Sequence, residues 1–145
     1  MVSKTELINC FRILCGCEKL EEFLTKKFPT FKRYSGEGIN SLIPLVQTIL
    51  AEYSEKKSSI SDYVIAMGHR GRLNLLTMLL DYPVKNLIYK IDGYREIPQD
   101  ISGIDDMVTH IAPSESKVFN INGDIHSCKP LSVSMVQDRK STRLN

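Results

Sequence analysis

Tyr63-Val64-Ile65-Ala66-Met67-Gly68-His69-Arg70-Gly71-Arg72-Leu73-Asn74-Leu75-Leu76 holds three kinds of local instruction in one run. Tyr63 to Met67 is short and apolar with two β-branched residues, the pattern of a strand covered on both faces. Gly68 to Gly71 is a turn bracketed by glycines. From Leu73 the apolar positions take helical spacing, with Leu73, Leu76, Thr77 and Leu80 on one face and Leu75 and Leu79 beside it. Strand, turn and helix in this order put the turn at the carboxyl end of a strand in an α/β sheet, where ligands of open α/β sheets gather. The turn carries an imidazole and two guanidinium groups just before a helix N-terminus. Free N–H groups and the helix dipole favour an anion there. Arg70 and Arg72 offer planar forks for phosphate or carboxylate, and His69 can donate a hydrogen bond or move a proton near neutral pH. The plainer alternative is a solvated basic turn whose arginines pair with surface acids.

Outward from this stretch, the preceding residues are organised to deliver it. Ile39 to Tyr53 is predicted as a helix, because Ile39, Leu42, Ile43, Val46, Ile49, Leu50 and Tyr53 recur at helical intervals. Asn40 or Ser41 caps it and Pro44 falls in its first turn, where no donor is needed. Ser54 to Asp62 is polar and reads as a surface loop. Further upstream, Met1 to Cys17 has loose helical spacing through Leu7, Ile8, Phe11 and Leu14. Lys19 to Lys27 forms a second helix with a Leu20, Phe23, Leu24 stripe and acids before bases, ended by Phe28-Pro29. In Lys32-Arg33-Tyr34-Ser35-Gly36-Glu37-Gly38 two glycines surround an acid, which makes a turn. Glu37 is read first as a turn acid that caps the next helix or pairs with Arg33, and second as a functional carboxylate.

Downstream, Pro83 fits the first position of a helix whose buried side is Leu87, Ile88 and Ile91, and Gly93 stops it. Tyr94 to Pro130 has little periodicity and holds His110 and His126; a connection this long inside a compact domain is functional or disordered. Leu131, Val133 and Met135 alternate with Ser132 and Ser134 as a half-buried strand. Asp138 to Asn145 turns abruptly polar and basic, without packing logic.

Composition sets outer limits. The 145 residues are 42% hydrophobic with a formal charge of +2, enough for one domain with a core and too balanced for a dedicated nucleic-acid binder. No run is long and apolar enough to span a bilayer, and the amino end lacks the features of a secretory signal or a basic transit peptide. Of the four cysteines, Cys15-Gly16-Cys17 is too closely spaced for a zinc ligand pair and Cys128 stands alone, so with Cys10 they are read as reduced thiols.

Phe28-Pro29-Thr30-Phe31-Lys32-Arg33-Tyr34-Ser35-Gly36-Glu37-Gly38 followed by Met67-Gly68-His69-Arg70-Gly71-Arg72-Leu73-Asn74 resembles the thiamine-diphosphate-dependent first component of the 2-oxoglutarate dehydrogenase family. The similarity runs from about Leu20 to Gln137, and the two blocks are specific in combination. Gly36 before the acid, and Gly103-Ile104-Asp105-Asp106-Met107-Val108-Thr109-His110-Ile111 in place of a segment with a lysine–tyrosine pair, make the chain more similar to the 2-oxoadipate branch. The resemblance implies a fragment of a thiamine-diphosphate-binding, transketolase-like α/β domain, with a parallel sheet and flanking helices. Residues 1–19 would be a lead-in helix, 20–137 the partial domain and 138–145 a non-native tail, foreign to the reading frame.

It further implies that Arg70 contacts thiamine diphosphate, that His69 and His110 are active-site histidines, and that His69 and Arg72 face the substrate. The activity implied is oxidative decarboxylation of a 2-oxo acid, 2-oxoadipate or 2-oxoglutarate, with acyl transfer to a lipoyl group on an acyltransferase partner. A homodimer of the full-length protein and the mitochondrial matrix are implied with it. The family's magnesium and diphosphate cradle lies past Gln137, so the isolated chain is expected to be inactive and to bind thiamine diphosphate poorly. A phosphate-binding module without chemistry and a non-catalytic fragment are the alternative functions.

Overall fold

The computed structural model describes residues 3–54, 59–94, 108, 111–120 and 128–137. In chain order these form helix α1 (Lys4–Lys27), α2 (Leu42–Ser54), strand β1 (Asp62–Met67), α3 (Arg72–Met78), α4 (Val84–Ile91), β2 (Ser114–Lys117) and β3 (Leu131–Gln137). The architecture is mixed α/β: a small three-stranded sheet with helices against it.

α1 opens on a reciprocal cap. Glu6 N–H donates to the Ser3 hydroxyl, and Ser3 N–H to the Glu6 carboxylate, satisfying two of the free donors at the helix start. The Ser3 hydrogen bonds hold the Glu6 carboxyl below its ordinary range. Where the sequence predicts two helices meeting near Cys17, the structure has one of 24 residues. Gly16, inside this helix, serves packing. A Cβ there would lie 2.6 Å from the Met78 Sδ, so the missing side chain is what lets α3 approach α1. The buried stripe is Ile13, Cys17, Leu20 and Leu24, while Leu7, Ile8, Phe11 and Phe23 are exposed.

Cys17 is fully buried. Desolvation first, and the neighbouring Glu21 carboxylate second, push its thiol from an ordinary 9.0 up to about 11. Thiol alkylation at pH 8 is therefore expected to modify the partly exposed Cys10, Cys15 and Cys128 while sparing Cys17 until the chain unfolds, since only the thiolate reacts; peptide mapping by mass spectrometry reads the result. The same shift makes stability pH-dependent. The native thiol keeps its proton where the unfolded one loses it, so this contribution is complete below about pH 9 and is lost as pH rises through about 11.

α2 carries Pro44 in its first turn as expected. The Asn40 Oδ1 caps nothing and is buried without a partner. The far end of α2 is tied to the sheet by Ser54: its hydroxyl donates to Lys129 O at 2.6 Å and its carbonyl accepts Lys129 N–H at 2.7 Å.

The sheet order is β1-β3-β2. β1 and β3 are parallel, from Asp62 opposite Ser132 to Met67 opposite Gln137. β2 is antiparallel to β3, with Ser114 opposite Ser134 and Lys117 opposite Leu131. The β1–β3 pair is parallel as expected, and β2 adds an antiparallel strand that the expected parallel sheet did not include. β2, Ser-Glu-Ser-Lys, has no apolar alternation to announce it, and is a strand because β3 offers it a backbone. The reading of Tyr63 to Met67 as covered on both faces is also corrected: Tyr63, Ile65 and Met67 face inward, while Val64 is 69% exposed and Ala66 open. Leu131, Val133 and Met135 are buried as their alternation predicts.

α3 is the hub. All six residues from Arg72 to Thr77 are buried, not one stripe. Seven residues are too few to hold a helix in water alone. Burial compensates: Leu75, Leu76 and Leu79 are each at most 1% exposed, worth roughly 1.5–3 kcal/mol apiece. Pro83 precedes α4 as its cap, and Gly93 ends it with φ +87°.

Candidate functional site

β1 ends at Met67, and the chain turns through Gly68 to Gly71 into α3. Gly71 makes the turn possible, with φ +69°, a conformation that costs a residue with a Cβ. Arg72 N–H closes the turn on His69 O at 3.2 Å, and Leu75 N–H reaches Gly71 O at 3.0 Å. The Gly71 N–H points the other way and donates to Tyr34 O at 3.0 Å.

That bond joins the two sequence blocks. The Tyr34 ring stacks on the His69 imidazole, centroids 4.9 Å apart and planes 25° from parallel. To reach it Tyr34 adopts φ +48°, a strain of order 1–3 kcal/mol for a non-glycine residue, held by the stack and by the hydrogen bond to its carbonyl. Gly36 lies against Gly71: a Cβ on Gly36 would sit 3.1 Å from Gly71 Cα, 2.9 Å from Asn40 Oδ1 and 3.3 Å from Asn74 Nδ2. The glycine before the acid is thus a contact requirement between two backbones.

The basic side chains separate. Arg70 is exposed and forms no hydrogen bond or ion pair among the described residues, so its guanidinium is presented outward. His69 is half-buried under Tyr34. Arg72 is fully buried. Its Nε and Nη2 donate to Ile111 O at 3.2 and 2.7 Å, and Nη1 donates to Met67 O at 3.3 Å and Val136 O at 3.2 Å. The expected substrate role of Arg72 is corrected accordingly. Its planar fork ties together the ends of β1 and β3 and the segment entering β2, and turns no donor toward solvent.

The helix-terminus expectation weakens as well. α3 is short, and the amides of Gly71 and Arg72 are committed to Tyr34 and His69. Arg70 is left as the exposed basic group of the turn. His110 and His126 fall outside the described residues, as do residues 138–145. Arg33 pairs with Glu21 at 3.5 Å, not with Glu37; Glu37 is exposed, its N–H donating to the Ser35 hydroxyl. Among the described residues no cluster of three His, Cys, Asp or Glu could hold a metal ion, and no helix is long and apolar enough to cross a membrane.

The sequence reading missed three partners. Tyr34 and Asn74 lie inside the quoted blocks but had no role. Glu21 was read only as a dipole-matched acid. Its carboxylate accepts Gly36 N–H at 2.9 Å and the Asn74 side-chain amide at 2.8 Å. No spacing rule links residues so far apart.

These features define an α/β segment with a cation and an imidazole at the carboxyl end of a parallel strand pair. Comparison with known proteins is specific. The chain is 42% identical over 120 residues to a probable 2-oxoadipate dehydrogenase complex component E1 homolog of Dictyostelium discoideum, covering 83% of the chain. It is 36% identical over 134 residues, 92% of the chain, to the 2-oxoadipate dehydrogenase complex component E1 of Xenopus laevis. It is 38% identical over 87 residues, 60% of the chain, to an oxoglutarate dehydrogenase of Buchnera aphidicola. No protein-family model matches. Over the matched stretch the chain belongs to the family of E1 components of 2-oxoadipate and oxoglutarate dehydrogenases. It spans 13%, 14% and 9% of the length of these three relatives.

Proposed function

We propose that this chain carries one wall of the site at which a 2-oxo acid dehydrogenase E1 decarboxylates its substrate with thiamine diphosphate, and that residues 20–137 are part of a transketolase-like, thiamine-diphosphate-binding domain. The observation that supports this most is the convergence of the two blocks. Tyr34 and His69 stack, and the outward guanidinium of Arg70 stands next in the chain, at the carboxyl end of β1.

The groups present suit the cofactor. A guanidinium with no partner among the described residues matches a diphosphate or carboxylate oxygen pair. An imidazole held flat against a phenol ring can move a proton at a fixed position. When bound, thiamine diphosphate supplies the nucleophilic carbon and the electron sink for decarboxylation. Arg70 would hold an anionic oxygen of the cofactor, His69 would face the 2-oxo acid and donate a proton to its carbonyl oxygen, and His110 would supply a second imidazole. Arg72 keeps the turn in place from beneath. Magnesium would be held by residues of the full-length protein outside those described. The substrate is 2-oxoadipate or 2-oxoglutarate, the acyl acceptor a lipoyl group on an acyltransferase component, the full-length assembly a homodimer and the compartment the mitochondrial matrix.

The test is a decarboxylation assay on a full-length protein carrying this segment, with both 2-oxo acids. Arg70→Ala is expected to raise the thiamine diphosphate concentration for half-maximal activity about 10- to 100-fold, the range of one charge-assisted hydrogen bond. Unchanged half-saturation would remove Arg70 from the cofactor's surroundings. Tight phosphate binding without decarboxylation of either acid would favour a binding module instead.

A further inference from the structure

We propose that Glu21 is the positioning residue of this site: its carboxylate clamps the Tyr34 loop onto the His69 turn and so fixes the plane of the His69 imidazole. The inference rests on the function proposed above for its meaning, but not for its geometry.

Glu21 lies on α1, outside both blocks, yet it is bound to each. One oxygen, Oε1, accepts Gly36 N–H at 2.9 Å and Asn74 Nδ2 at 2.8 Å. Gly36 is two residues from Tyr34, and Asn74 is on α3, in the turn of helix that follows His69. A single oxygen is therefore the shared acceptor of the loop that supplies the stacking ring and the helix that supplies the imidazole. The side chain is only 19% exposed, and hydrogen bonds to a charged acceptor are about twice as strong as neutral ones. Asn74 is buried, 2% exposed, so without Glu21 its amide and the buried Gly36 N–H lose an acceptor, a loss that neighbouring structure must move to repair.

The other oxygen does less. Oε2 faces Arg33 Nε at 3.5 Å, and neither atom has a hydrogen bond. Both atoms are buried, so the contact sets a cation near the carboxylate but supplies no hydrogen bond to either block. The clamp is thus the Oε1 fork. It brings together two glycine backbones, Gly36 and Gly71, so closely that a Cβ on Gly36 would lie 3.1 Å from Gly71 Cα. With the loop seated, Gly71 N–H finds Tyr34 O and the ring falls on His69.

The test reads ring geometry rather than activity. In the 145-residue chain, the His69 imidazole protons are assigned by their loss in His69→Ala and lie upfield because the Tyr34 ring shields them; Tyr34→Leu gives their unshielded position. Glu21→Leu is expected to move them at least half of the way to that position, and Glu21→Gln, which keeps an acceptor oxygen, to leave them within a quarter of it. Leu24→Ala, one turn along α1, buried and not a partner in the fork, lowers stability but leaves them in place. Should Glu21→Leu fail to fold by circular dichroism, Asn74→Ala cuts one arm of the fork and is expected to move them in the same direction.

His69 resonances unmoved in the folded Glu21→Leu or Asn74→Ala chain, or moved equally by Leu24→Ala, would overturn the proposal. In the full-length protein Glu21→Leu is expected to lower kcat tenfold or more with KM changed less than threefold, with Glu21→Gln recovering most of the loss. If no decarboxylation occurs in the unaltered protein, the functional reading falls while the resonance shifts still decide the clamp.

Discussion

Arg72→Ala is expected to destabilise the chain by about 3–5 kcal/mol, the cost of leaving buried carbonyls unsatisfied at roughly 1–3 kcal/mol each together with the cavity left behind. The guanidinium is fully buried and makes four hydrogen bonds to three carbonyls, Met67 O, Ile111 O and Val136 O. Removing it leaves those carbonyls without this donor at the carboxyl edge of the sheet and opens a cavity beneath the His69 turn. Against a typical total of 5–15 kcal/mol this is a large share. Arg72→Lys keeps the charge but not the fork: three donors on one nitrogen cannot span three carbonyls in the guanidinium plane, so it restores only part. Urea unfolding followed by circular dichroism, with the slope of free energy against denaturant unchanged, gives the value. A loss below about 1 kcal/mol would mean that this arginine is not buried in solution.

His69→Ala is expected to act on turnover instead. In a full-length protein carrying this segment, removing a positioned proton-transfer group costs about 10²- to 10⁴-fold in rate. Half-saturation by thiamine diphosphate should change much less, because the cofactor contact proposed here belongs to Arg70. Stability should fall little, since His69 is only half-buried. Single-turnover and steady-state rates with 2-oxoadipate and 2-oxoglutarate separate the two effects. Full turnover in the alanine variant would take His69 out of the reaction. The pairing of the two substitutions is informative: Arg72→Ala changes the fold beneath the turn, whereas His69→Ala changes the chemistry proposed above it.

Local periodicity revealed much of the frame. Tyr63 to Met67, α2 with Pro44 in its first turn, the stop at Gly93 and the alternation of Leu131, Val133 and Met135 are all features that neighbours in sequence decide. What stayed hidden depends on distant partners. α1 runs through Gly16 because Met78 fills the space that a side chain would take. β2 is held by its pairing to β3, since Ser114 to Lys117 carry no apolar pattern. Arg72 looked like its neighbour Arg70, because an arginine in a glycine turn is ordinarily solvated; only the fold shows that one faces outward and the other faces three carbonyls. Glu21 could not have been singled out from helix charge order, which it also satisfies.

The Arg72 bridge has a consequence for how the segment is assembled. Arg72 and Val136 are 64 positions apart, and closing a loop of that length costs on the order of 4 kcal/mol in chain entropy. One hydrogen bond returns about 1.5–3 kcal/mol even with a charged donor, so the arginine cannot recruit the last strand by itself. β3 must arrive on the strength of its own apolar side and its ladder with β1, and the guanidinium then seals the join. Until β3 docks, the bed under His69 is incomplete. The turn is therefore among the late-forming parts of this segment, and a slow phase in its refolding should be shared by the imidazole environment and the parallel strand pair.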